Sequence, residues 1–127
     1  LKVSDEEVGM VGGEDALPGL MEEFGIAVIV ETLGGAGARA FFAGERWDVP
    51  SRKVTCVDAT GAGDAFWGGF LSSLRLQGID RADQLTRERV NRAVEYGNAS
   101  GGLCVQKKGA IPALPTREEI EAFLARE

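Results

Sequence analysis

The chain has 127 residues, 44% of them hydrophobic and 27% charged, which is enough for one modest domain with a core and too little for two. A formal net charge of −6, with no Lys/Arg-rich run, argues against a nucleic-acid-binding protein, and no apolar segment approaches the ~20 residues of a membrane span. Histidine is absent, which excludes Ser-His-Asp and Cys-His catalysis and leaves proton transfer to a carboxylate, Lys, Tyr or Cys.

The first third of the chain predicts a strand, two helices and a hairpin. The opening "LKVS" indicates the end of a strand, followed by a short helix with Ser4 as N-cap and Glu7 at N3, the pattern of a capping box. A second helix is predicted over "GGEDALPGLMEEF" and ends at Gly25. The β-branched run 26–30 predicts a strand buried on both faces, and after the "GGAG" turn "ARAFFAG" predicts an antiparallel return strand.

The rest of the chain alternates strand and helix. "VTCVD" (54–58) predicts a buried strand, and residues 64–76 carry the apolar stripe of a helix. "TRERVNRAVEYGNASGGL" predicts a long helix with a face of small residues, and "TREEIEAFLARE" predicts a closing helix capped by Thr116, with Glu119 at N3. Interleaved strands and helices predict an α/β fold in three layers, a mostly parallel sheet with flanking helices and no internal domain boundary.

Four further side chains are expected to fill the core. Phe66 and Trp67 are predicted to pack inside rather than to contact a substrate, and Cys56 and Cys104 are predicted to be small buried hydrophobes. The cysteines show no CxxC spacing, which favours a reduced, cytoplasmic protein. A disulfide between them is the alternative on sequence alone.

Residues 57–71, "VDATGAGDAFWGGFL", place a turn almost stripped of side chains before a helix. Neither GxxxxGK[ST] nor the complete GxGxxG pattern is met. The N–H groups of residues 61–64 would lack partners within the helix, and the helix dipole makes that end electropositive, so the turn is suited to an anion. Asp64 could alternatively be an ordinary acidic residue of a first helical turn.

The string "DATGAGDAF" resembles the signature D-T-x-G-A-G-D-x-F of the ribokinase-like sugar kinases. Three more stretches are similar to motifs of that family, in the same order: "KVSDEE" (2–7) to N-x-x-E, "VETLGGAGA" (30–38) to T-x-G-x-x-G, and "KKGAIPALP" (107–115) to its K-G-A loop. Together they cover nearly the whole chain. The resemblance implies a ribokinase-like fold and an ATP-dependent sugar kinase. The stretches "GDAFWGGFL" and "NASGGLCVQKKGAIPALP" look most like those of bacterial fructokinases.

The resemblance also implies roles for individual residues. In the family, the aspartate matching Asp64 takes the proton from the sugar hydroxyl, and the N–H groups matching Gly61, Ala62 and Gly63 hold the transferring phosphate. An ordinary carboxylate suffices there, because phosphoryl transfer depends mainly on positioning and charge stabilisation.

The nucleotide is expected at a second set of positions. Thr32, Gly34 and Gly37 match the family's nucleotide segment, for which a plain hairpin turn is the alternative. Asn98 matches the adenine side, for which an ordinary polar helix residue is the alternative.

Two cations are implied as well. Glu7 matches a glutamate associated with Mg²⁺ through water, although Ser4 replaces the family's usual Asn and weakens that contact. A monovalent cation such as K⁺ is often bound beside the phosphate site. Its ligands, mostly backbone carbonyls, would correspond to Asp58, Thr60, Cys104, Lys107, Gly109 and Ala113, of which the last lacks the hydroxyl that some members offer.

Ribokinase-like kinases are more than twice as long as this chain, and their first half carries most sugar-binding side chains and a β lid that often forms the dimer. We therefore expect residues 1–127 to be the C-terminal nucleotide-binding and catalytic portion of a cytoplasmic kinase, inactive on its own, whose parent is a homodimer. Fructose is the leading acceptor; ribose, 2-keto-3-deoxygluconate or a nucleoside are alternatives. A non-catalytic nucleotide-binding or interaction module is the alternative from another class.

Overall fold

The computed structural model describes residues 1–51, 61–106 and 116–125, so the predicted strand at 54–58 lies outside the described residues. The strands in these ranges are β1 (Lys2–Ser4), β2 (Val28–Thr32), β3 (Ala38–Phe42) and β4 (Glu45–Val49). The α-helices are α1 (Leu17–Phe24), α2 (Ala62–Leu76), α3 (Arg87–Val105) and α4 (Arg117–Leu124). Short 3-10 helices occupy Val8–Val11, Glu14–Ala16, Gly34–Ala36 and Ala82–Gln84.

The sheet formed by the described residues has the order β1-β2-β3-β4. Strand β1 pairs with β2 in parallel, whereas β2–β3 and β3–β4 are antiparallel. This part of the sheet is therefore mixed, and the expectation of a mostly parallel sheet is not met there. The reason is the short connections: Ala43 and Gly44 join β3 to β4 with φ of 51° and 79°, a two-residue turn that only antiparallel strands can use.

Strand β2 is buried on both faces, as its β-branched sequence predicts. Val28 and Val30 lie in the core against α2 and α3, whereas Ile29 lies in a second cluster with Leu17 of α1. Because successive side chains of a strand point to opposite faces, the sheet has helices on both sides. The predicted three-layer α/β arrangement is confirmed.

Helices α2 and α3 pack closely because glycines line their contact. A Cβ at Gly97 of α3 would lie 2.9 Å from both the carbonyl oxygen and a ring carbon of Phe66, and one at Gly69 of α2 would lie 2.7 Å from Cβ of Ser100. The predicted face of small residues on α3 is thus the face that meets α2. Phe66 is buried in the core, and the partly buried Trp67 packs against that core, as expected.

Helix α4 begins with the predicted capping box. The N–H of Glu119 donates to the Thr116 hydroxyl (3.2 Å), and the Thr116 N–H donates to the Glu119 carboxylate (3.1 Å). Ile120 and Phe123 then pack against Tyr96 and Ala99 of α3. Within the part of the chain that the structure describes, no helix combines the length and apolar character needed to cross a membrane.

The glycine contact between α2 and α3 can be tested with two identical substitutions. We expect Gly97→Ala to lower the free energy of unfolding by ~1–3 kcal/mol, because the new methyl group meets a backbone carbonyl that cannot move freely. Gly68→Ala, on the same pair of helices but with no atom near its Cβ, should instead raise it by roughly 0.5–1 kcal/mol. Urea unfolding of both variants checks this, and equal effects at the two positions would contradict the packing argument.

Candidate active site

The N-terminus of α2 is a turn without side-chain caps. Gly61 is its N-cap, in a left-handed conformation with φ of 80° that favours glycine. The first bond within the helix runs from the N–H of Ala65 to the Gly61 carbonyl (2.8 Å). The N–H groups of Ala62, Gly63 and Asp64 therefore have no acceptor within the helix and remain donors for an anion.

Lys2 lies beside this turn. A Cβ at Gly63 would lie 2.9 Å from Nζ of Lys2, so the ammonium group is in reach of the exposed helix end. Val3 packs on the α1 side of the sheet, so its neighbour Lys2 points to the side of α2. Sequence reasoning missed Lys2. The alternation in "LKVS" gives its direction, but only the folded structure shows that it reaches Gly63.

Asp64 is exposed in the first turn of α2, one residue after Gly63. Its role as a general base stays a prediction. The helix itself begins at Ala62, two residues earlier than the apolar stripe indicates, because residues without large side chains give no periodic signal.

Ser4 and Glu7 form the predicted reciprocal pair. The Ser4 N–H donates to Oε1 of Glu7 (2.9 Å), and the Glu7 N–H donates to Oγ of Ser4 (3.1 Å). The pair closes a turn, and the 3-10 helix begins only at Val8. The Ser4 N–H lowers the pKa of the Glu7 carboxyl, and the Ser4 hydroxyl and the Lys2 charge lower it further. Glu7 thus presents an exposed, ionised carboxylate near the Lys2 side of β1.

The loop between β2 and β3 is more constrained than a plain hairpin turn. Thr32 ends β2 beside Ser4 of β1, and its hydroxyl donates to the Val3 carbonyl (3.4 Å). The Leu33 N–H donates to the Gly37 carbonyl (2.9 Å), which closes a loop containing the 3-10 turn that starts at Gly34. Gly37 has a φ of 107°, and a Cβ there would lie 2.2 Å from the Val49 carbonyl oxygen, so only glycine fits.

Asn98 is a buried polar residue of α3, and its predicted place on the adenine side stays a prediction. Its Nδ2 donates to the same Val49 carbonyl at the end of β4 (3.0 Å). One turn further along α3, a Cβ at Gly101 would lie 3.3 Å from the Ala62 carbonyl. Residues three apart lie on one face of a helix, about 4.5 Å apart along its axis. The same stretch of α3 therefore contacts the end of β4, next to Gly37, and the start of α2.

The predicted monovalent-cation ligands are mostly outside the described residues, namely Asp58, Thr60, Lys107, Gly109 and Ala113. Cys104 is described: it is fully buried and packs against Ala65 in the first turn of α2. Its predicted character as a small buried hydrophobe is confirmed. Among the described residues, no group of three His, Cys, Asp or Glu side chains is arranged to hold a metal ion.

Glu31 is a buried charged residue next to Thr32, at the end of β2. Burial raises the pKa of its carboxyl, and Glu14 raises it further, whereas Arg39, 3.9 Å away, lowers it. Arg39 also pairs with Glu14 (2.5 Å) and Asp48 (2.6 Å). Glu31 shares the α1 side of the sheet with Ile29, opposite to Lys2, so this ion-pair cluster fastens the hairpin and does not belong to the α2 turn.

A cavity of about 710 Å³ lies elsewhere, between α1 and the turn joining β3 to β4. Its lining includes Met21, Ala27 and Phe42. Ala27 comes directly before β2 and Phe42 ends β3, so the cavity is at the opposite end of the sheet from Thr32. None of the predicted site residues lines this cavity, so the cavity is separate from the candidate site at the α2 turn.

Comparison with known proteins shows the family of the chain. The sequence profile of the pfkB family carbohydrate kinases matches residues 4–117. The chain belongs to the pfkB family of carbohydrate kinases. The predicted resemblance to ribokinase-like sugar kinases is thus confirmed, and the matched segment of this pfkB chain contains every predicted site residue from Glu7 to Ala113.

Individual relatives are fructokinases and an aminoimidazole riboside kinase. Fructokinase-2 of Zea mays is 37% identical over 133 residues, covering 99% of the pfkB chain and 38% of the relative. A double mutant of Vibrio cholerae fructokinase, solved with fructose, ADP and potassium ion bound, is 34% identical with a TM-score of 0.82, covering 97% and 39% of the two chains. Aminoimidazole riboside kinase from Salmonella enterica, complexed with aminoimidazole riboside and an ATP analogue, is 32% identical with a TM-score of 0.80, covering 98% and 41%. The pfkB chain spans about two fifths of the length of these relatives.

The link between Ser4 and Glu7 can be tested by titration. We expect Ser4→Ala to raise the pKa of Glu7 towards its ordinary value, because the hydroxyl contact is lost. A lowered folded-state pKa stabilises the protein above the ordinary glutamate pKa, and this contribution is lost as the pH falls through the pKa of Glu7. NMR titration of the Glu7 side-chain carboxyl checks this. Ser72→Ala, on the exposed side of α2, should leave the titration unchanged, and an unchanged titration in Ser4→Ala would contradict the assignment.

Proposed function

We propose that residues 1–127 are the C-terminal portion of an ATP-dependent fructokinase, the part that binds the nucleotide and transfers its γ-phosphate to a sugar hydroxyl. The observation that carries this proposal is the bare N-terminus of α2 with the Lys2 ammonium beside Gly63. Backbone donors, a helix dipole and a nearby ammonium group together suit a phosphoryl group that must be held while charge redistributes over its oxygens.

The proposed reaction uses the α2 turn in two ways. The N–H groups of Gly61, Ala62 and Gly63, with Lys2, hold the transferring phosphoryl group. Asp64, exposed at the same turn, takes the proton from the acceptor hydroxyl. At the same time the hydroxyl oxygen bonds to the γ-phosphorus, and the bond between the γ-phosphorus and ADP breaks.

The nucleotide is proposed to extend from this turn towards the loop after β2. Thr32, Gly34 and Gly37 would lie along its phosphates and ribose, where bare backbone permits close approach. Asn98 lies next to this loop, beneath the end of β4. The contact of α3 with both regions supports a single continuous binding surface.

Two cations complete the proposal. Mg²⁺ would neutralise the β- and γ-phosphates, and Glu7 is suited to hold it through water because its carboxylate is exposed and ionised. K⁺ would lie beside the α2 turn on the backbone around Cys104, with the further predicted ligands Asp58, Thr60, Lys107, Gly109 and Ala113.

Fructose is proposed as the acceptor because the Zea mays relative and the Vibrio cholerae structure are both fructokinases. The Salmonella enterica relative favours a nucleoside as the second candidate. We further propose a cytoplasmic, homodimeric parent, with the sugar-binding and lid portion supplied by other residues of the kinase.

The base can be tested in the full-length kinase that contains these residues. We expect Asp64→Asn to lower turnover by ~10²–10⁴-fold with little change in ATP affinity, because the shape is kept and the base is removed. Asp80→Asn, an exposed aspartate beyond the far end of α2, is the matched control and should keep turnover. Turnover of Asp64→Asn within a few-fold of wild type refutes the role, and a wild type that binds ATP but phosphorylates no sugar would favour the non-catalytic module.

Lys2 can be tested in the same enzyme. We expect Lys2→Met to lower kcat/KM about 10- to 100-fold, the loss typical of a hydrogen bond from a charged group. Arg75→Met removes one positive charge from the other end of α2 and should change kcat/KM less than twofold. Steady-state kinetics with varied ATP checks this, and equal effects of the two substitutions would show that Lys2 acts only through net charge.

A further inference from the structure

The carbonyl oxygen of Val49 is a contact point for two segments that are distant in sequence. Asn98 of α3 donates its Nδ2 hydrogen bond to it (3.0 Å), and the backbone of Gly37 passes so close that a Cβ there would lie 2.2 Å away. Val49 and Asn98 are both buried, at 4% and 9% exposure. The Val49 peptide is thus clamped between a helix side chain and the loop that follows β2.

The position of this peptide decides the shape of the loop. Gly37 comes directly before Ala38, which pairs with Val49 in the β3–β4 ladder. The loop from Leu33 to Gly37 is closed by a bond to the Gly37 carbonyl, so a shift of Gly37 moves the whole loop. The Val49 carbonyl already belongs to the ladder pair with Ala38, so loss of the Asn98 donor leaves the second acceptor site of a buried carbonyl unfilled, and the end of β4 would shift relative to Gly37.

We infer that Asn98 is a positioning residue for nucleotide binding: by fixing the Val49 carbonyl, it holds Gly37 and the loop at 33–37 in the shape that receives the nucleotide. This inference rests on the proposed function, which places the nucleotide along that loop. It differs from a direct contact between Asn98 and the adenine, because the amide donor is directed at the protein backbone.

Helix α3 offers a matched control two turns away. Asn91 also fastens α3 to β4, since its Oδ1 accepts the hydrogen bond from Nε1 of Trp47 (2.9 Å). That link lies further from the loop, two residues before Val49 on β4. Removing it should affect stability without affecting the nucleotide.

The experiment uses the full-length kinase with Asn98→Asp, Gly37→Ala, their double variant and Asn91→Ala. Aspartate has the size of asparagine but no N–H donor, and it also adds a negative charge. Asn98→Leu, which removes the donor without adding a charge, should give the same result and serves if Asn98→Asp does not fold. We expect Asn98→Asp to raise the KM for ATP about five- to tenfold and the KM for fructose less than twofold.

Hydrogen exchange at residues 33–38, measured by mass spectrometry without nucleotide, should become faster in Asn98→Asp than in the wild type. The double variant should have the same KM for ATP as Gly37→Ala alone, because both changes disturb one contact. Asn91→Ala should lower only the melting temperature.

Three results would overturn the inference. The first is an unchanged KM for ATP in Asn98→Asp. The second is a KM for ATP in the double variant that is raised by the product of the two single-variant factors. The third is a raised KM with unchanged exchange at 33–38, which would indicate direct contact with the nucleotide. A wild-type enzyme without ATP-dependent sugar phosphorylation would refute the proposed function instead, and the exchange measurement would still test whether Asn98 holds the loop.

Discussion

The close approach of α2 to α3 fixes the geometry on which the candidate site depends. It exists because Gly69 and Gly97 lack side chains where a Cβ would lie 2.7 Å and 2.9 Å from the facing helix. Gly101 extends the contact to the Ala62 carbonyl at the first turn of α2. The turn proposed to hold phosphate therefore takes its position from a helix interface, and rigid helices transmit any change in that interface directly to the site.

Much of the fold and the bare turn of the candidate site could be predicted from the sequence. The β-branched run of β2, the reciprocal Ser4–Glu7 pair, the capping box at Thr116 and the small face of α3 are local signals, and local signals survive in a single sequence. The bare turn before Asp64 was recognisable for the same reason, because a helix end without side chains is suited to an anion wherever the fold places it.

The contacts that complete the site could not be predicted, because they join residues that are far apart along the chain. Nothing in "LKVS" indicates that Lys2 reaches Gly63, and nothing around Asn98 indicates that its partner is the Val49 carbonyl. Strand β4 was also missed. Its sequence "ERWDV" is mostly charged, and its alternation rests on only two apolar residues, Trp47 and Val49, which is too short a run to identify a strand.

The same charges that conceal β4 in the sequence have a physical consequence. In the sheet of the described residues, β4 is an edge strand, and an edge offers unpaired backbone groups to strands of other molecules. Glu45, Arg46 and Asp48 are all exposed along it. An incoming strand would have to bring its own side chains against charges of both signs, which disfavours the long, flat pairing that starts aggregation. The sequence of β4 thus protects the open side of the sheet in a crowded solution.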